Sequence, residues 1–154
     1  MAKEPEKDGA TETLLVISCG KAKVWDRKSQ TGAVEARDAY TGPLFKKCRK
    51  YAQNWGGKWI ILSAKYGLLD PSTRISDYNV KFGESAHAIT ADVLRLQWVE
   101  RFAHIRNLIS LASRKYDARL REALPPNVRI QNPLQGKNIF ERMSWLKRLA
   151  GADE

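Results

Sequence analysis

Cys19 stands between Ser18 and Gly20 and is followed closely by Lys21 and Lys23. A thiol beside two ammonium groups carries more thiolate, which suits a nucleophile or a redox-sensitive group. Gly20, Lys21 and Lys23 would also cradle a phosphate through backbone N–H groups and positive charge. The bland alternative is a small apolar side chain closing a strand, as free cysteines often do. A second polar group is Ser63-Ala64-Lys65-Tyr66-Gly67. Lys65 would bind an anion, or act as base or nucleophile if desolvated. Tyr66 would stack on a base or donate its hydroxyl, unless it merely packs beneath a turn made by Gly67. Asp77-Tyr78 follows shortly after. Asp77 is a candidate general acid/base, a partner for Lys65 or Lys23, or simply a turn aspartate.

Positive charge is clustered elsewhere too. Lys46, Lys47, Arg49 and Lys50 fall on one side of an expected helix, opposite an apolar stripe of Leu44, Phe45, Cys48, Tyr51, Ala52 and Trp55. No acid on that helix compensates them. Such a face commonly tracks phosphates, although it can also be a solvated exterior. Cys48 lies on the stripe and reads as core, as do Trp55, Trp59, Trp98 and Trp145. Trp25 sits among Lys23, Arg27 and Lys28, where it would stack on a base or anchor its loop to the body.

The elements that must position these residues alternate between strand and helix. Leu14-Leu15-Val16-Ile17 and Trp59-Ile60-Ile61-Leu62 are continuous apolar runs, the mark of strands buried on both faces. Residues 108–112 and the weaker run 128–130 predict two more. Pro43 opens a helix that Gly56-Gly57 closes. Thr90 caps a second, whose apolar stripe is Leu94, Trp98, Phe102 and Ile105. Residues 115–124 form a third, stopped by Pro125-Pro126. Asn138 with Glu141 forms a capping box for the last. Residues 21–38 and 63–85 read as loops. The expected fold is α/β: a small, mainly parallel four-stranded sheet flanked by helices, a Rossmann-like three-layer arrangement. Ligands of such sheets bind beyond the carboxyl ends of the strands. Here every such end carries Lys or Arg, including the last, Asn132-Pro133-Leu134-Gln135-Gly136-Lys137.

Composition limits the function. The chain has 154 residues, 43% hydrophobic, with a net charge of +10. That length suits one domain, here expected over residues 13–150, between a disordered tail at 1–12 and a short tail at 151–154. The charge favours an anionic partner: nucleic acid, a nucleotide or an acidic surface. Two cysteines make no disulfide framework, and no apolar run approaches the roughly 20 residues that cross a bilayer. A cytoplasmic location without membrane attachment is the expectation. The two histidines, His87 and His104, and the cysteines show no zinc spacing, so no metal is expected. There is no Walker loop and no dinucleotide fingerprint, and the residues name no cofactor.

Taken together, several segments resemble a bacterial and archaeal family of small domains of unknown function. They are Val16-Ile17-Ser18-Cys19-Gly20-Lys21-Ala22-Lys23, Tyr40-Thr41-Gly42-Pro43-Leu44-Phe45, Ile61 through Leu69, Asp77-Tyr78, Pro133-Leu134-Gln135-Gly136 and Trp145-Leu146. That family is distantly similar to YaaA-type peroxide-stress proteins, which bind DNA, and its Cys/Lys motif is similar to one in a domain of archaeosine synthase. The resemblance implies a link to nucleic acids or modified bases. It also implies a shared site lined by Cys19, Lys23, Tyr40, Ser63, Lys65, Tyr66, Asp77 and Tyr78. The sequence departs from the family at Gly20, where serine is common, and at Asn79-Val80-Lys81-Phe82.

Two functions compete. One is an enzyme acting on a nucleotide or nucleobase, with Cys19 or Lys65 reactive, Asp77 or Tyr78 moving protons, and Gly20, Lys21, Lys23, Tyr40, Ser63, Tyr66 and Gly136 holding substrate. The other is a DNA- or RNA-binding protein without catalysis, using Lys46, Lys47, Arg49 and Lys50. A deep pocket at the Cys19 and Lys65 loops favours the first; a shallow basic groove favours the second.

Overall fold

The first strand, β1 (Thr13–Ser18), has no solvated face, and its alternation shows why. Leu15 and Ile17 point into one apolar cluster, Leu14 and Val16 into another. A strand buried on both sides must lie inside a sheet covered by helices on both faces. The computed structural model, which describes residues 12–82 and 88–149, has that arrangement.

The remaining elements run in chain order as β2 (Val34–Glu35), α1 (Ala36–Ala39), α2 (Pro43–Trp55), β3 (Lys58–Ser63), β4 (Gly67–Leu69), β5 (Arg74–Ile75), α3 (Ala91–Phe102), β6 (Asn107–Ser110), α4 (Arg114–Ala123), β7 (Arg129–Gln131) and α5 (Ile139–Leu149). The main sheet has the order β4-β3-β1-β6-β7. β3, β1, β6 and β7 are parallel, and β4 runs antiparallel to β3. The parallel four-stranded core is as expected from the apolar runs. The fifth strand and a separate two-stranded sheet of β2 and β5 are additions.

The helices divide between the faces. Phe45, Cys48, Tyr51 and Ala52 of α2 pack with Trp145 and Leu146 of α5 on one side. Leu94, Trp98 and Phe102 of α3 pack with Leu120 and Ala123 of α4 on the other. The expected punctuation is present. Pro43 opens α2, and Gly56 ends it with φ of 89°. Thr90 Oγ1 accepts from Val93 N at 3.2 Å. Asn138 and Glu141 form the reciprocal capping box, at 2.8 and 2.9 Å.

Two segments read as loops carry more order than their polar composition shows. Residues 21–38 contain a 3-10 turn at Val24–Asp26, β2 and the start of α1. Trp25 is buried and donates from Nε1 to Gly32 O at 3.1 Å, so it anchors this segment and offers no stacking face. β2 pairs with β5, tying the segment to the one that follows β4. Gly67 begins β4 with φ of 78°, and a Cβ there would overlap Gln97 Oε1 and Ile89. Gln97 holds β4 by accepting from Leu68 N at 2.8 Å and donating to Tyr66 O at 3.2 Å. Replacing Gly67 with alanine is therefore expected to cost about 1–3 kcal/mol of stability, through backbone strain and displacement of Gln97. Urea denaturation checks this.

Several expectations fall on undescribed residues: both proposed tails, except Glu12, and the stretch 83–87 with His87. Glu12 itself lies 3.0 Å from His104 Nε2. Among the described residues no helix is long and apolar enough to cross a membrane, and no group of acids, cysteines and histidines could hold a metal ion.

Candidate functional site

β1 and β6 are neighbours, yet the chain leaves them in opposite directions. From β1 it leads to α2 on one face, and from β6 to α4 on the other. Diverging loops leave a crevice between them, the switch point at which open α/β sheets bind ligands. A cavity of about 310 Å³ lies there. It is walled by Cys19, Gly20, Lys21 and Lys23 after β1, by Ser113, Lys115 and Tyr116 after β6, and by Tyr78 to Phe82 from the segment after β5. That volume falls at the lower end of small-molecule sites, about 300–1,000 Å³.

Its lining mixes cations with aromatic rings. Four of the twelve lining residues are lysines and none is acidic. Among them Tyr78, Phe82 and Tyr116 supply aromatic surface, with Phe82 and Tyr116 edge-on at 4.8 Å.

Lys23 is the most constrained of the lysines. It is 8% exposed. The antiparallel bridge to Tyr40 and the bond from Lys23 N to Asp26 Oδ2, 2.8 Å, fix its backbone. Its Nζ donates to Lys21 O at 3.2 Å and lies 4.6 Å from the Tyr78 ring centroid. Among the described residues no carboxylate comes within 4 Å of it. A nearly buried ammonium costs much free energy unless it is paired. One carbonyl and one ring face leave a donor to spare, and the cavity lies beside it.

Beneath the cavity the hydroxyls form a chain. Tyr40 and Tyr78 share a hydrogen bond of 2.6 Å between their oxygens, and Ser63 Oγ donates to Tyr78 at 3.2 Å. Ser63 Oγ also accepts from Lys65 N and Tyr66 N, at 3.1 and 3.0 Å, which shapes the turn after β3. Cys19 Sγ donates to the Tyr116 hydroxyl at 3.3 Å. Burial pushes Tyr40, Tyr78 and Tyr116 well above the usual phenol range, and the neighbouring Cys19 acts in the same direction. These phenols therefore stay neutral near pH 7, as donors and acceptors rather than bases.

The structure brings Cys19, Gly20, Lys21, Lys23 and Tyr78 to the cavity wall, with Tyr40 and Ser63 directly behind Tyr78. It does not bring the others. Lys65 is on the same sheet edge, because β3 adjoins β1, but its side chain is exposed, 5.1 Å from the Tyr66 ring, and does not line the cavity. The desolvation required of a base or nucleophile is absent there. Tyr66 supports Tyr78 edge-on at 5.4 Å and donates to Ser76 O, so it packs under the turn. Asp77 is exposed and pairs with neither Lys23 nor Lys65. Gly136 belongs to a different cleft, because β7 is two strands from β1. On α2, Lys46 and Lys50 are exposed, Lys47 and Arg49 half-buried. Arg49 donates to Arg37 O at 2.8 Å and lies 4.0 Å from Asp38, an acid supplied by α1. Tyr116, Ser113 and Phe82 were not singled out as site residues. Tyr116 and Ser113 follow a strand end, and that position was the signal available for them.

Both cysteines are buried, but only Cys19 borders a cavity. Cys48 is buried in the α2 stripe, and burial pushes its thiol up to about 12. At pH 8 it is thus protonated as well as covered. Iodoacetamide at pH 8 is expected to modify Cys19, at the cavity wall, and to spare Cys48 until the protein unfolds. Peptide mass spectrometry with and without urea reads this directly.

A family model described as a family of unknown function, DUF6884, matches residues 14–148. The chain is also 40% identical over 139 residues to the uncharacterised protein YfjM of Bacillus subtilis, across 88% of this chain and 93% of that relative.

Proposed function

The chain belongs to the DUF6884 family of unknown function, and on that premise we propose that it is an enzyme binding a nucleotide or nucleobase in the cleft between β1 and β6. The observation that supports this reading is Lys23, a nearly buried ammonium that has no carboxylate partner among the described residues and lines a cavity with aromatic walls. Lys21 and Lys23 take the phosphate. Tyr78, Phe82 and Tyr116 take the planar base, which any aromatic face accepts. The resemblance of the Cys/Lys segment to YaaA-type proteins and to a domain of archaeosine synthase, drawn from the sequence alone, would imply the same substrate class.

Within that site Cys19 is the group we assign to react, since it borders the cavity and its sulfur hydrogen-bonds to the Tyr116 hydroxyl. The neutral Tyr78 and Tyr116 hydroxyls stabilise developing negative charge as preorganised donors. Tyr78 is backed by Tyr40 and Ser63, a short path along which a proton can shift. Asp77 and Lys65, which stand outside the cleft, take no part. Binding along α2 without catalysis has less support, because neither of the two clefts lined by described residues, at Cys19 and at Gly136, includes Lys46, Lys47, Arg49 or Lys50, and Arg49 is engaged by α1.

Thermal unfolding tests the reading. A ligand at a hundred times its Kd adds about 2.7 kcal/mol, which for a chain of this size raises Tm by roughly 5–11 °C. A nucleoside monophosphate is expected to give a shift of that order, larger than those from the nucleoside or from inorganic phosphate alone. No shift with any nucleotide or nucleobase at millimolar concentration would remove the reading.

A further inference from the structure

α4 has two sides, and only one faces the cleft described so far. Lys115 and Tyr116 border that cleft, whereas Arg114, Asp117, Ala118 and Arg121 face a second one of about 580 Å³. Its opposite wall is the loop after β7, with Asn132, Gly136 and Lys137, joined by Arg142 from α5. Four cationic side chains thus stand against one carboxylate. That carboxylate is committed: Asp117 is buried and accepts from Arg121 Nε at 2.7 Å and from Asn132 Nδ2 at 2.9 Å. Asn132 also donates to Ala112 O at 3.2 Å and accepts from Leu134 N at 2.9 Å, so the loop is built as a fixed wall. Arg142 Nε is held by Lys137 O at 2.8 Å. Arg114 and the Lys137 ammonium have no acidic partner among the described residues.

We propose that this second cleft binds the neighbouring phosphodiesters of a single-stranded oligonucleotide whose reacting nucleotide occupies the cleft at Cys19. This rests on the nucleotide reading and names its substrate class as a polymer. Three observations converge. The two clefts share the first turn of α4, with residues 113, 115 and 116 on one side and 114, 117 and 118 on the other. Opposite sides of a helix are about 10–12 Å apart including side chains. A stacked duplex advances about 3.4 Å per phosphate and an unstacked strand farther, so two or three nucleotides span the distance. A mononucleotide would leave the outer cations unused. A base inside the first cavity must also be unstacked, which favours a single strand.

Calorimetric titration of the full chain tests this. The probes are a nucleoside monophosphate and a 5′-phosphorylated tetranucleotide. Wild-type protein is expected to bind the tetranucleotide at least tenfold more tightly. The double variant Arg114→Gln, Lys137→Gln is expected to lose that advantage, retain its affinity for the mononucleotide, and keep the wild-type Tm. Its salt dependence should weaken by about 1.4 in log–log slope, for two contacts at about 0.7 each on a single strand. Equal wild-type affinity for both probes overturns the second site and leaves the nucleotide reading standing. A tetranucleotide advantage that survives the double variant does the same. If neither probe binds, both fall. If Lys23→Met leaves tetranucleotide affinity untouched, no strand joins the two clefts.

Discussion

Replacing Lys23 with methionine is expected to weaken nucleotide binding by about 30-fold to several-thousand-fold without loss of folded stability. The lower figure corresponds to about 2 kcal/mol and the upper to about 5, the range for removing one partner of a buried charge pair. Methionine keeps an unbranched stem of similar length, so the packing of that stem is largely retained. What disappears is the Nζ that donates to Lys21 O and faces Tyr78 at 4.6 Å. Among the described residues that ammonium has these two partners and no carboxylate, so removing it leaves no buried carboxylate unpaired there. Stability is thus expected to hold or rise, because burying a charge without a counter-ion is costly. The combination separates function from folding. Lost binding together with a fallen Tm would instead make Lys23 a structural residue.

The largest stability effect is expected at Trp98. This residue is 1% exposed. Its ring lies 5.5 Å from that of Phe102, within the cluster that joins α3 and α4 to β1, β3 and β6. Truncation to alanine removes a large buried surface and leaves a cavity, at about 3–5 kcal/mol. A domain of this kind is stable by only about 5–15 kcal/mol, so the variant should sit near the edge of unfolding. The same helix secures the turn behind the site: Gln97 holds both Tyr66 and Leu68, and Arg101 donates to Leu68 O. Urea denaturation should therefore show a lowered midpoint with an unchanged slope. A cost below about 1 kcal/mol would mean that α3 contributes far less than its burial implies.

The strands were legible for a simple reason. A parallel strand covered on both faces has to be apolar at successive positions, and Leu14 to Ile17 and Trp59 to Leu62 show that pattern. Caps and breakers at Pro43, Gly56, Thr90 and Asn138 were legible because each satisfies or ends helix backbone hydrogen bonding locally. β4 was not, since three residues after a turn carry no periodicity, and its antiparallel pairing is fixed by Gln97 and Arg101, some thirty residues away.

The site was half legible. Apolar runs locate the carboxyl ends of strands but do not give their lateral order. With β1 between β3 and β6, the tails of those two strands flank Cys19, so Tyr116 belongs to the cleft. β7 lies beyond β6, roughly 10 Å from β1, which takes Gly136 out of it. Lys23 and Tyr40 meet through a backbone bridge between residues seventeen apart, across a segment, 21–38, whose polarity suggested only loop.

The most direct test is a crystal structure of the protein with a nucleoside monophosphate. The account predicts density in the cleft between β1 and β6, with a phosphate oxygen within hydrogen-bonding distance of Lys23 Nζ and the base against Tyr78, Phe82 or Tyr116. A nucleotide ordered instead along Lys46, Lys47 and Lys50 of α2, with the Cys19 cleft empty, would contradict it.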